Sequence, residues 1–138
     1  MPDFPRTLLV DDDGITNFLN QRLFQQMGIT DTQVALNGQD ALDLLQTVCD
    51  QSRASECPAL ILLDLKMPVM DGVQFLHAYL QRPPIHPAPV IIVLSTSHNP
   101  DDLARLQNLP IAGYLTKPLT REKLAGVIQT HFGYSYAS

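Results

Sequence analysis

Short apolar runs punctuate this chain, and each of the strongest stops on a polar cluster. Arg6-Thr7-Leu8-Leu9-Val10 ends in Asp11-Asp12-Asp13-Gly14, and Leu60-Ile61-Leu62-Leu63 ends in Asp64. Val90-Ile91-Ile92-Val93-Leu94 ends in Ser95-Thr96-Ser97, and Ile111-Ala112-Gly113-Tyr114-Leu115 ends in Thr116-Lys117-Pro118. A weaker run, Thr32 to Leu36, precedes Asn37-Gly38. Unbroken apolar runs of this length suit strands buried on both faces, as in a parallel sheet.

Between the runs the apolar residues recur at helical spacing. Ile15, Phe18, Leu19, Leu23 and Met27 predict a first helix closed by Gly28. Ala41, Leu44, Leu45 and Val48 mark one face of a second. Asp71 caps a third, with Gln74 three residues on and Val73, Leu76 and Leu80 turned inward. Asn99-Pro100-Asp101-Asp102 starts a fourth, with Leu103 and Leu106 as its stripe. Thr120 caps a fifth, whose Leu124, Val127 and Ile128 face the core and which ends at Gly133. Ser52 to Pro58 reads as a polar connection and Tyr134 to Ser138 as a loose tail. Arg82 to Pro89 is a surface connection, because its prolines remove donors and fix φ.

Strand and helix therefore alternate five times without an internal break. The expected fold class is α/β, a doubly wound five-stranded parallel sheet with five helices and right-handed crossovers. One domain is expected over 1–138, with its core at about 5–132 and no output domain attached. In such a sheet every segment that follows a strand leaves from the same edge, where open α/β proteins build their sites. Asp11, Asp12, Asp64, Ser95 and Lys117 are thereby predicted to converge.

Composition narrows the classes. A chain of 138 residues, 45% hydrophobic and 17% charged, has enough apolar surface for one core. A net charge of -5 disfavours nucleic acid as a partner. No apolar run is long enough to cross a membrane, and Met1 to Pro5 has no leader-like pattern, so a cytoplasmic location is expected. Cys49 and Cys57 read as two free thiols. The histidines are too scattered for a zinc site.

The acidic convergence sets the chemistry. Two carboxylates ~4 Å apart at an effective dielectric of ~20 repel by about 4 kcal/mol. A divalent cation relieves this. Hard oxygen donors without sulfur or imidazole favour Mg²⁺, with Mn²⁺ or Ca²⁺ as alternatives. Mg²⁺ takes one or two carboxylates and phosphate oxygens, so the cluster suits a metal plus a phosphoryl group. Lys117 offers a positive charge and Ser95 a hydroxyl donor to that group. A carboxylate nucleophile would give an aspartyl phosphate. Taken singly each residue has a plainer role: Asp11 to Asp13 and Asp71 as helix caps, Ser95 to Ser97 as loop formers, Lys117 as a solvated charge, Tyr114 as packing.

Leu9-Val10-Asp11-Asp12, Leu63-Asp64-Leu65-Lys66-Met67-Pro68-Val69-Met70-Asp71-Gly72, Val93-Leu94-Ser95 and Tyr114-Leu115-Thr116-Lys117-Pro118 together resemble the receiver domains of two-component response regulators. The resemblance covers essentially the whole chain. It implies a flavodoxin-like sheet of order 2-1-3-4-5 and a phosphoryl-accepting switch rather than an enzyme. It implies Asp64 as phosphoacceptor and Mg²⁺ held by Asp11, Asp12, Asp64 and the backbone carbonyl of Lys66. Ser95 and Lys117 would bind the phosphoryl group, Ser95 and Tyr114 would move on activation, and Lys117–Pro118 would be cis. The partners implied are a sensor histidine kinase or phosphotransfer protein and a downstream protein target. A homodimer through the fourth helix, fifth strand and fifth helix is also within the family's range. Asp13 is a third acid where the family varies, and Ser95 replaces the commoner Thr.

Two other classes compete. Leu8-Leu9-Val10-Asp11-Asp12-Asp13-Gly14-Ile15-Thr16 also resembles the opening of haloacid-dehalogenase-like phosphatases, with Asp11 as nucleophile and Asp13 as acid/base. That alternative leaves the Met67-to-Gly72 loop unexplained and wants paired acids after the lysine. A flavodoxin-like binding module would need a Ser/Thr/Gly-rich phosphate cradle after the first strand, which the sequence lacks.

Overall fold

The computed structural model describes residues 6–49, 57–84, 88–96 and 100–133. Parts of the expected Ser52 and Arg82 connections, Ser97, the Asn99 cap, the N-terminus and the tail from Tyr134 lie outside the described residues. The chain order is β1 (Thr7–Val10), α1 (Gly14–Gln26), β2 (Thr32–Ala35), α2 (Gly38–Val48), β3 (Leu60–Leu63), α3 (Gly72–Leu80), β4 (Val90–Ser95), α4 (Pro100–Arg105), β5 (Gly113–Thr116) and α5 (Arg121–Phe132). All strand pairs are parallel and the sheet order is β2-β1-β3-β4-β5, as the resemblance implied.

The central strands β1 and β3 are buried along their whole length, and β4 is buried from Ile91 onward. Alternate side chains serve opposite faces. Leu8, Val10, Ile61, Leu63, Ile91 and Val93 pack with Ala41, Leu42 and Leu45 of α2 and Val73, Phe75 and Leu76 of α3. Leu9, Leu60, Leu62 and Ile92 pack with Phe24 and Met27 of α1 and Leu124, Val127 and Ile128 of α5. Two apolar layers thus hold the sheet between helices, which is why the strand sequences are continuously apolar rather than alternating.

The caps agree with the sequence. Asp71 and Gln74 form a reciprocal capping box, Thr120 accepts from the Lys123 amide, and Asn37 accepts from the Asp40 amide. Gly28 and Gly133 follow α1 and α5 with positive φ. The Lys117–Pro118 bond is cis.

Several packing expectations are corrected. The apolar stripe of α1 divides: Ile15, Phe18 and Leu19 are 72%, 50% and 59% exposed, while Leu23 and Met27 pack with the core beside the buried Asn17, Asn20 and Phe24. On the buried side, Phe24 and Met27 pack against the sheet and Asn17 Nδ2 donates to the Asp11 carbonyl at the end of β1 at 2.8 Å. Leu80, the last residue of α3, is exposed rather than turned inward. On α4 it is Asp102 that is buried and Leu103 that is exposed, and Leu106 packs from the turn beyond the helix. Cys49 and Cys57 are not free thiols but a disulfide. The end of α2 and the entry to β3 lie side by side, with a Cα separation of 4.7 Å, which a disulfide spans.

Candidate functional site

The strand register builds the rim. Val10 pairs with Leu63 and Leu63 with Val93, so Asp11 and Asp64 are each the first residue beyond a matched row. The ladder continues one step into them: the Asp64 amide donates to Val10 O at 2.9 Å and the Asp11 amide to Ala35 O at 3.1 Å. On the far side Ser95 pairs with Thr116, and the Lys117 amide donates to Ser95 O at 2.7 Å. Backbone hydrogen bonds therefore fix Asp11, Asp64, Ser95 and Lys117 along one edge.

The side chains close the gap. Strands spaced ~4.8 Å apart put β1 and β5 roughly 14 Å from each other. The lysine and aspartate side chains bridge it from both sides: Lys117 Nζ donates to Asp11 Oδ2 at 2.6 Å and lies 3.5 Å from Asp64 Oδ1. Asp11 and Asp64 are buried and Asp12 is exposed, and one carboxylate oxygen from each lies within 4.8 Å of the others. Burial pushes the Asp64 carboxyl above its ordinary value; Lys117 opposes the rise and Asp11 adds to it. For Lys117 burial works downward, but the bond to Asp11 and the charge of Asp64 outweigh it, and its pKa is raised.

One ammonium cannot balance three carboxylates. The donors that remain are hard oxygens, with no sulfur or imidazole among them, and this group fits a divalent metal ion bound by oxygen. The structure thus brings together the Asp11, Asp12, Asp64 and Lys117 predicted from sequence. Ser95 ends β4 at 2% exposure. Tyr114 sits half-buried on β5 against the Leu8 layer. Lys66 is exposed in the loop after Asp64. Asp13 caps α1, accepting from the Ile15 amide and the Thr16 hydroxyl, each at 3.0 Å. The Thr16 bond chiefly holds its carboxyl below the ordinary value.

Sequence reasoning missed three supports. Gly72 packs on the Asp64 backbone, where an added Cβ would stand 2.5 Å from Asp64 O and 2.9 Å from Leu65 Cα. In the sequence Asp71-Gly72 marks a helix start and closes the segment that carries the receiver resemblance, but neither shows this close approach. Lys123 Nζ donates to Thr116 O at 2.8 Å and Pro118 O at 3.2 Å, the carbonyls on either side of Lys117. Nothing in its sequence position signals this. Asn17 is the third; its spacing of three, four and three residues with Asn20, Phe24 and Met27 was the available sign. The same loop also carries Val69 at φ 68°, a conformation that costs a β-branched residue roughly 1–3 kcal/mol.

A five-stranded parallel sheet of this order, with an acidic cluster and a lysine on its carboxyl edge, defines the receiver class of α/β proteins. The comparisons agree. The model of the response regulator receiver domain matches residues 7–129, and the chain belongs to that family. It is 33% identical over 123 residues to the probable methanogenesis regulatory protein FilR2 of Methanothrix harundinacea, covering 88% of this chain and 77% of that protein. It is 34% identical over 123 residues to the response regulator Rcp1 of Synechocystis, covering 88% and 82%. Among solved structures it is similar to a two-component response regulator from Cytophaga hutchinsonii, with a TM-score of 0.81, 25% identity and coverage of 96% and 100%. Receiver domains of response regulators act as phosphoryl-accepting switches in signal transduction. No finding favours the haloacid-dehalogenase-like alternative. No helix among the described residues is long and apolar enough to cross a membrane.

Proposed function

We propose that Asp64 is the phosphoacceptor. Its carboxylate oxygen attacks the phosphorus of a phosphohistidine on a sensor kinase or phosphotransfer protein. A P–O bond forms, the P–N bond breaks, and the imidazole leaves with the electron pair and takes up a proton. Lys117, already 3.5 Å from Asp64 Oδ1, holds an oxygen of the incoming group and offsets its charge. Ser95 donates its hydroxyl to another oxygen. Asp11, Asp12, Asp64 and the Lys66 carbonyl hold the metal, for which Mg²⁺ is the natural ion. When bound, Mg²⁺ neutralises charge on the transferred phosphoryl oxygens.

The output is a population shift. The phosphoryl group adds up to about two negative charges at the rim. Ser95 draws toward it, Tyr114 moves into the space released, and the surface of α4, β5 and α5 changes. That surface meets the downstream protein target or a second copy of the chain. The compartment that goes with this reading is the cytoplasm.

The observation that carries this reading is the convergence of Lys117, Asp11 and Asp12 on Asp64 from three strand ends. The test is intact mass after incubation with a small-molecule phosphodonor and Mg²⁺. One phosphoryl group is expected on the parent protein and none on Asp64→Asn. Equal phosphorylation of Asp64→Asn overturns the assignment.

A further inference from the structure

Helix α1 turns two amides inward beneath the acidic cluster. Asn17 is 3% exposed and Asn20 9%. Asn17 Nδ2 donates to the Asp11 carbonyl at 2.8 Å. A carbonyl only accepts, so the nitrogen must face it and the amide oxygen must face the other way. That oxygen, Asn17 Oδ1, is buried and meets no donor among the described residues. A buried acceptor of this kind is rare in a folded protein and calls for a partner.

The partner has a place. A cavity of about 10 Å³, the space open to the centre of a water molecule, is walled by Asn17, Asn20, Asp11, Asp64 and the apolar ends of β1, β3 and β4. Room for one water is ~10–15 Å³, and a buried water needs two to four polar neighbours. The cavity has both and holds nothing larger.

We propose that Asn17 and Asn20 bind one structural water under the acidic cluster, and that Asn17 is a positioning residue for Asp11. The water donates to Asn17 Oδ1 and joins it to the Asn20 amide. Satisfied on both sides, the Asn17 side chain holds the Asp11 carbonyl and with it the turn that presents the Asp11 carboxylate. The two amides that α1 buries beside Phe24 and Met27 then have a purpose. The positioning half rests on the reading of Asp11 as a metal residue; the water half does not.

The first test is a high-resolution crystal structure of the intact protein. Density for one water within ~3.2 Å of Asn17 Oδ1 is expected. A dry cavity, or density that refines as an ion, overturns the site. In Asn17→Leu the water should be lost, and its persistence overturns the role of Asn17. Should that variant not fold, cross-peaks between a long-lived water and the Asn17 amide protons of the parent decide the question, and their absence counts against the site. The second test is calorimetric Mg²⁺ titration well below the melting temperatures of both proteins. Asn17→Leu should bind about 10-fold more weakly, the scale seen for groups that orient a metal's ligands. Unchanged affinity overturns the positioning role. If the parent itself binds no Mg²⁺, the metal reading of Asp11 fails and the positioning role falls with it, while the water density still decides the water site.

Discussion

Replacing Lys117 by Met removes the ammonium and keeps most of the apolar stem, so it isolates the charge. The parent ammonium sits 2.6 Å from Asp11 and 3.5 Å from Asp64, and those side chains are 6% and 10% exposed against 17% for the lysine. Exposed pairs are worth about 0.2–1 kcal/mol, whereas removing one partner of a fully buried pair costs about 3–5 kcal/mol. Partial access of water to the lysine places this cluster between the two limits. Two carboxylates are also left facing each other. The expected loss is about 2–3 kcal/mol, or roughly 10 °C in melting temperature for a chain of this size. Urea unfolding followed by far-ultraviolet circular dichroism, in EDTA near neutral pH, measures it. The loss should shrink by about 1 kcal/mol or more in an Asp64→Asn background, where one of the stranded charges is gone. A loss under about 0.5 kcal/mol with no coupling to Asp64 would refute the electrostatic account and make Lys117 a solvated surface charge.

Three further outcomes are expected. The folded-state pKa of Asp64 is raised, chiefly by burial, so the native state binds more protons than the unfolded chain in the window between the two values. The contribution of Asp64 to stability therefore falls as pH rises through that window and is recovered on acidification. Asp64→Asn should be more stable than the parent at neutral pH without divalent ions, with the difference closing as pH drops toward about 4; urea midpoints against pH test this, and a pH-independent offset contradicts it. Gly72→Ala forces a Cβ to within 2.5 Å of Asp64 O, an overpacking cost of about 1–3 kcal/mol that exceeds the helix-propensity gain of at most ~1 kcal/mol. It should destabilise the protein and slow phosphoryl uptake from a small donor. Gly126→Ala, which meets nothing within 4 Å, should raise stability slightly in the same melts.

Much of the fold was legible because its signals are local or follow from the chain path. Apolar runs longer than a half-buried strand needs, separated by capped helices, allow little besides a doubly wound parallel sheet. Asp71, Gln74 and Thr120 announced helix starts through their own short hydrogen bonds. The gathering of Asp11, Asp12, Asp64 and Lys117 was legible for a topological reason: parallel strands all release their chains at one edge.

What failed to show were facts that depend on which way an element turns and on what stands beside it. The apolar spacing of Ile15, Phe18 and Leu19 described a stripe correctly but could not say that the stripe faces outward. In the fold that outward turn goes with the burial of Phe24 and Met27 and with the bond from Asn17 to the Asp11 carbonyl. Cys49 and Cys57 carried no sign of pairing, because the end of α2 and the start of β3 become neighbours only when the sheet forms. Lys123 reaches the carbonyls flanking Lys117 only once the turn between β5 and the first turn of α5 takes its folded path. The sequence by itself determined the strands, the caps and the edge on which the acids meet, since hydrophobic period and chain direction are properties of the chain. Tertiary structure alone decided the rotation of α1, the disulfide and the supports beneath Asp11 and Asp64, because buried polar groups choose partners by position in space and not by distance along the chain.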